Sequence, residues 1–143
     1  MAIENKAGKK VLVFGTFDPL HAGHEYLFSE AKKLGDYLIV VIAQDVVIRL
    51  QKHREPHMPQ QDRLYAVSQV VDVDEALLGD ANPSDYSLLK TLSFDCIALG
   101  YDQRPDDNNV RELLKNMGKE HVEIVRLPAH KPEQYKSSLM RTS

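Results

Sequence analysis

Tyr37-Leu38-Ile39-Val40-Val41-Ile42-Ala43 is apolar at every position. A strand with one face in water alternates apolar and polar residues. An unbroken apolar run reads instead as a strand covered on both faces, the environment of a parallel sheet. Upstream, Val11-Leu12-Val13-Phe14 is another β-rich apolar run, ending in a loop that starts at Gly15. Between the two runs, Glu25 to Leu34 is helical in composition. Tyr26-Leu27, Glu30-Ala31 and Leu34 recur at helical spacing, and Gly35 stands where the glycine after a helix belongs.

The alternation continues downstream. Pro59 to Val70 suits a helix, with Leu64, Val67, Val70 and Val71 on one face, and Glu75-Ala76-Leu77-Leu78 suits a short strand. Asn82-Pro83 reads as an N-cap followed by a first-turn proline, opening a helix to about Leu92. Asp95 to Leu99 is a buried strand closed by Gly100. Asn109 to Met117 is helical with Gly118 after it, and Val122 to Leu127 is a last strand. Strands and helices alternating in units of about 30 residues predict a doubly wound α/β fold. Its sheet would be mostly parallel, five-stranded and Rossmann-like. No repeat or composition break divides the chain, so residues 1–143 are expected to form one domain. In such folds ligands lie beyond the carboxyl ends of the strands, where the winding reverses. The loops to inspect follow Phe14, Ala43, Leu99 and Leu127.

Composition excludes several function classes. The 143 residues are 43% apolar and 27% charged, the balance of a globular domain rather than a disordered tail. Eighteen Lys and Arg against 21 Asp and Glu leave a net charge of −3. A mildly acidic chain is poorly suited to sequence-independent nucleic-acid binding, so no nucleic-acid partner is expected. Cys96 is the single cysteine, which excludes an internal disulfide framework and a Cys-rich zinc site. The longest apolar run falls far short of a membrane span, and the polar start from Met1 to Lys10 has no secretory h-region. A cytoplasmic protein without a membrane partner is the expectation.

The chemistry concentrates in Gly15-Thr16-Phe17-Asp18-Pro19-Leu20-His21-Ala22-Gly23-His24. This is no Walker A loop and no dinucleotide fingerprint, because the glycine spacing fits neither. It is a strand, a glycine, then two histidines three apart at a helix start. Gly15 can let a ligand approach the backbone closely, and Gly23 leaves room beside both rings. His24 sits near free backbone N–H groups, where the helix field is positive. Two imidazoles and a helix end suit a phosphate whose negative charge grows in the transition state. A lone histidine is more often a surface or packing residue, but two in a glycine-flanked loop at a strand end are rarely idle. His-x-x-His could instead bind zinc, with Asp18 or His57 completing the site. His53, His57, His121 and His130 otherwise read as surface residues. Phe17 and Tyr101 could stack on a base or flavin, or pack in the core.

These residues carry a resemblance. The segment matches the Gly-x-Phe-Asp-x-x-His-x-Gly-His signature of the HIGH-motif nucleotidylyltransferases, the cytidylyltransferase-like superfamily. The resemblance covers nearly the whole chain. It implies that His21 and His24 stabilise the α-phosphate of a nucleoside triphosphate while an acceptor phosphate attacks and pyrophosphate leaves. It implies phosphate contacts for Lys52 and Arg63. Gly15, Thr16, Phe17 and Gly23 would lie against the nucleotide. Leu99-Gly100-Tyr101-Asp102-Gln103 is similar to the family's Gly-x-Asp segment, which places Gly100 and Asp102 in the pocket. Tyr135-Lys136-Ser137-Ser138-Leu139-Met140-Arg141 looks like its Ser/Thr-Ser/Thr-x-x-Lys/Arg element. Ser137 or Ser138 would cap a short helix facing the β- and γ-phosphates, with Arg141 adding charge. Mg²⁺ is expected to bridge triphosphate oxygens. Asp72, Asp74, Asp106 and Asp107 read as turn caps or solvated carboxylates, and the family's small members suggest a homodimer.

Subfamily resemblance ranks the substrates. Lys52-His53-Arg54-Glu55-Pro56-His57-Met58-Pro59, Gly100-Tyr101-Asp102-Gln103, and Lys131 with Tyr135-Lys136-Ser137-Ser138 resemble archaeal-type FAD synthases, which transfer AMP from ATP to FMN. The chain departs from them in lacking their C-terminal cysteines and in Pro128-Ala129-His130. Leu50-Gln51-Lys52 and the arginine after it are shared with glycerol-3-phosphate cytidylyltransferases, which use CTP and glycerol 3-phosphate. Pantetheine-phosphate and nicotinamide-nucleotide adenylyltransferases share Gly-Thr-Phe-Asp-Pro but match less well later. A third reading is a nucleotide-binding sensor or scaffold without activity.

Overall fold

The computed structural model describes residues 8–82, 85–101, 103 and 106–128. In chain order the elements are β1 (Lys10–Gly15), α1 (Ala22–Lys32), β2 (Tyr37–Ile42), α2 (Asp45–Lys52) and α3 (Gln60–Ser68). Then come β3 (Glu75–Leu78), α4 (Ser87–Thr91), β4 (Cys96–Leu99), α5 (Asp107–Asn116) and β5 (Glu123–Arg126). The five strands form one sheet in the order β3-β2-β1-β4-β5, and every pairing is parallel.

The strand at 37–42 is buried on both faces, as its unbroken apolar run predicts. Leu38, Val40 and Ile42 join the core beside Phe28 and Ala31 of α1 and Val67 of α3. Ile39 and Val41 face the opposite core, with Val110 and Leu114 of α5. The side-chain period of two therefore feeds two separate cores from one strand. Cys96 is buried in β4, and burial pushes its thiol up to about 12, so it acts as a small core side chain. Among the described residues no helix is long and apolar enough to cross a membrane.

Several local expectations are corrected. Helix α2, two residues after β2, has no counterpart among the elements expected from the sequence. The helix expected from Asn82 to Leu92 is confined to Ser87–Thr91 with Tyr86 as its N-cap. Val71 is 92% exposed rather than on the packed face of α3. Gly35 is not a left-handed cap. A Cβ there would sit 2.6 Å from the Lys9 carbonyl oxygen, so this glycine permits close approach of the chain leading into β1. Gly118, by contrast, has φ +76° just after α5, as the helix-end reading predicts.

Candidate active site

β1 pairs with β2 on one side and β4 on the other, so the winding reverses between β1 and β4. The β1–β4 register is Val11↔Cys96 and Leu12↔Ile97, whereas β1 pairs with β2 as far as Gly15↔Ile42. Beyond Leu12 the two central strands part, and a cleft of about 960 Å³ opens there. Its lining includes Gly15, Thr16, Phe17, His21, Gly23, His24, Lys52 and Gly100. The structure thus gathers eight of the sequence candidates around one cavity.

The two histidines owe their positions to the start of α1. His21 is the N-cap, in extended conformation, and its Nδ1 accepts the Gly23 N–H at 3.1 Å. His24, three residues on, accepts the His21 N–H on its own Nδ1 at 3.2 Å. The His-x-x-His spacing is therefore the spacing of a reciprocal capping box, with imidazoles in place of the usual hydroxyl and carboxylate. The rings stack 3.8 Å apart at 20°. An Nδ1 that accepts a backbone N–H carries no proton, so in the neutral ring the proton sits on Nε2. Burial, and secondarily the neighbouring His21, depress the His24 pKa to about 4.

Phe17 supports this arrangement from below. It has φ 51°, a region non-glycine residues seldom occupy, and is buried. Its ring meets His24 edge-on at 4.9 Å and Phe28 at 5.3 Å. A Cβ on Gly15 would lie 2.9 Å from that ring. Gly15 therefore makes room for Phe17, whose ring packs against His24 and Phe28.

Arg63 is the clearest correction. It is fully buried, and it is absent from the cleft lining. Its guanidinium donates to the carbonyls of Met58, Thr16 and Ala43 at 3.0, 2.9 and 2.7 Å, and to Asp45 at 2.7 Å. A side chain so engaged ties the loops after β1 and β2 together and cannot reach a phosphate. Sequence reasoning missed this although a signal existed: Arg63 is four residues before buried Val67, on the same helix face.

Asp18 is likewise committed. Its carboxylate accepts the His57 and Met58 N–H groups at 2.8 Å each and pairs with Arg54 at 2.9 Å. Burial pushes its pKa up, but the His57 N–H, Arg54 and the Met58 N–H more than offset this, leaving a net downward shift. It cannot complete a zinc site with the histidines. Among the described residues no group of three His, Cys, Asp or Glu side chains could hold a metal.

Lys52 ends α2 and is the one Lys or Arg among the described lining residues, which also include Asp80 and Asp85. Tyr101 is 59% exposed at the rim. Gln103 joins the ends of β1 and β4. Arg126 donates to the Gly100 and Gln103 carbonyls and pairs with Asp107. Asp107 thus has a partner, while Asp106 caps α5 through the Asn109 N–H. Asp102, Ser137, Ser138 and Arg141 lie outside the described residues, as do Lys131 and Tyr135.

A parallel sheet with paired imidazoles at the helix tip beside its switch point defines a nucleotidyltransferase. Residues 12–143 match the Cytidylyltransferase-like family, and the chain belongs to it. Among curated relatives it is similar to the FAD synthase of Korarchaeum cryptofilum, with 47% identity over 85% of this chain and 82% of that protein. It is also similar to the FAD synthase of Thermococcus kodakarensis, with 39% identity over 99% and 92% of the two chains. Among solved structures, a lipopolysaccharide core biosynthesis protein from Thermoplasma volcanium superposes with a TM-score of 0.78 and 34% identity. That likeness covers 86% of this chain and 98% of the other.

Proposed function

We propose that this chain is an FAD synthase, transferring AMP from ATP to FMN with release of pyrophosphate. The observation that carries the reading is the capped pair His21 and His24 at the switch-point cleft, in a chain 47% identical to a curated FAD synthase. An FMN phosphate oxygen attacks the α-phosphorus of ATP, the bond to the bridging oxygen breaks, and pyrophosphate departs with that electron pair. A phosphate monoester has a second pKa of about 6, so the nucleophile is already mostly dianionic at neutral pH and needs no general base. Catalysis is then positioning plus charge stabilisation.

In this reading the Nε2–H groups of His21 and His24 donate to the α-phosphate oxygens as charge builds there. Gly23 leaves the helix N-terminus open to the same phosphate. Lys52, which lines the same cleft, contacts phosphate. Thr16 and Gly100 line the nucleotide, and Asp102 is assigned to nucleotide binding with them. Ser137, Ser138 and Arg141 act on the β- and γ-phosphates. The described cleft carries few cations, and the acidic side chains are engaged by backbone: Asp80 accepts from Leu88 and Asp85 from Ser87. Mg²⁺ would be carried in with ATP as part of the substrate, where it would neutralise triphosphate charge. Both substrates are soluble metabolites, in keeping with a cytoplasmic enzyme.

The test is incubation with ATP, Mg²⁺ and FMN, reading FAD by chromatography and pyrophosphate by a coupled assay. FAD formation is expected, with CTP and glycerol 3-phosphate giving no product. Product from the CTP pair alone would reassign the substrates, and nucleotide binding without pyrophosphate release would make the protein a sensor.

A further inference from the structure

The parting of β1 and β4 creates a local problem of unpaired backbone groups at the mouth of the site. Their register stops at Leu12↔Ile97. The Phe14 carbonyl nevertheless has a donor, the Nε2 of Gln103, at 2.6 Å. The Oε1 of the same carboxamide accepts the Gly100 N–H, just past β4, at 3.0 Å. One side-chain amide thus offers a donor to one strand end and an acceptor to the other, as a peptide group does inside a ladder. The backbone of Gln103 is itself held, because its N–H donates to the Gly100 carbonyl at 3.1 Å and its carbonyl accepts from Arg126 at 2.7 Å.

We propose that Gln103 is a positioning residue: its carboxamide replaces the missing rung between β1 and β4 and sets the spacing between the histidine loop and the Gly100–Tyr101 loop. The inference rests on the FAD synthase reading for its effect on turnover, but the two hydrogen bonds are testable without it. β1 leads into the loop that carries His21 and His24, and β4 into the loop that faces the nucleotide. Misplacement of reacting groups by about 1 Å can cost on the order of a hundredfold in rate. A single residue joining these loops is therefore well placed to control that distance.

Glutamine suits the position better than its near relatives. Glutamate in its ionised form keeps the acceptor for Gly100 but presents no donor to Phe14. Methionine fills similar space and makes neither bond. Asparagine has both groups but is one methylene shorter. Sequence-level reading sees only a polar residue after a glycine turn; the link spans 89 residues and appears only once both strands are placed.

The experiment compares the full-length parent with Gln103→Met, Gln103→Glu and Gln103→Ala. Amide hydrogen exchange reports the local bond, and steady-state kinetics with ATP and FMN report its use. The Gly100 amide is expected to be protected in the parent and to exchange at least tenfold faster in the Met and Ala variants, with β2 amides unchanged. Turnover per folded molecule should fall about tenfold or more while KM for ATP changes far less, since alignment rather than ground-state binding is lost. Gln103→Glu, assayed at mildly alkaline pH, should retain Gly100 protection yet lose turnover, separating the two bonds. Should the Ala variant fail to fold, the size-conserving Met and Glu variants carry the test. Unchanged Gly100 exchange in Gln103→Met would overturn the proposal, as would parent-like turnover in both Met and Glu variants. A parent that makes no FAD but loses Gly100 protection on substitution would refute the functional reading and leave the strand link standing.

Discussion

His24 is held in a chemical state suited to its work. With Nδ1 accepting the His21 N–H at 3.2 Å and a pKa depressed to about 4, its ring is a neutral donor throughout the neutral pH range. A neutral donor stabilises growing phosphate charge without a competing proton transfer. His24→Ala should therefore lower kcat by about 10²–10³, the usual cost of one such donor, with the melting curve still cooperative; near-normal turnover would remove His24 from the mechanism. Between pH 5 and 9 (about the working range, set by the acceptor phosphate's second pKa of about 6), the rate should show one acid limb near that value. The His24 ring itself should not titrate across that range; a His24 imidazole resonance titrating near its ordinary value of 6.5 would contradict the depressed pKa. The stability sign follows separately. The unfolded His24 takes up a proton below 6.5 while the folded one waits until about 4, so folding weakens as pH falls between those values. Asp18 acts lower. Its depressed pKa gives stability that is present above the ordinary carboxylate value of 3.8 and is lost as pH falls below it.

At the scale of elements, α3 is tied to the site through one arginine. Arg63 gathers the carbonyls of Thr16, Ala43 and Met58 with the carboxylate of Asp45, linking the loops after β1 and β2 to α3. Arg63→Met should destabilise the fold by about 3–5 kcal/mol in urea titration, because it leaves buried acceptors and Asp45 without their donor. Were Arg63 a phosphate ligand instead, the same change would weaken ATP binding and spare stability. In β2, Ile42→Ala should cost about 2–5 kcal/mol through the lost burial and the cavity left behind. Val71→Ala, at 92% exposure just past α3, should change stability by less than about 0.5 kcal/mol. Hydrophobicity alone predicts burial at both positions; Val71 is exposed because α3 ends at Ser68, before the helical face it was assigned to reaches it.

For the whole molecule, the five parallel strands and the central crevice follow from alternating apolar and helical segments, and those were legible along the chain. Mg²⁺ with ATP should raise the melting temperature, by an amount equivalent to about 2.7 kcal/mol at a hundred times Kd, and chelation with EDTA should abolish both the shift and turnover. A shift with CTP but not ATP would reassign the nucleotide. The sequence by itself determined the buried strands, the doubly wound α/β class and the paired histidines, because periodicity and a glycine-flanked motif are local signals. Only the tertiary structure decided what Gly15, Asp18, Arg63 and Gln103 do. Gly15 is answered by a ring two residues on, whereas the partners of the other three are brought near by folding, 36 or more residues away for Asp18, up to 47 for Arg63 and 89 for Gln103. A polar side chain's role is set by whichever donors and acceptors the fold delivers to it, and no pattern along the chain encodes that delivery.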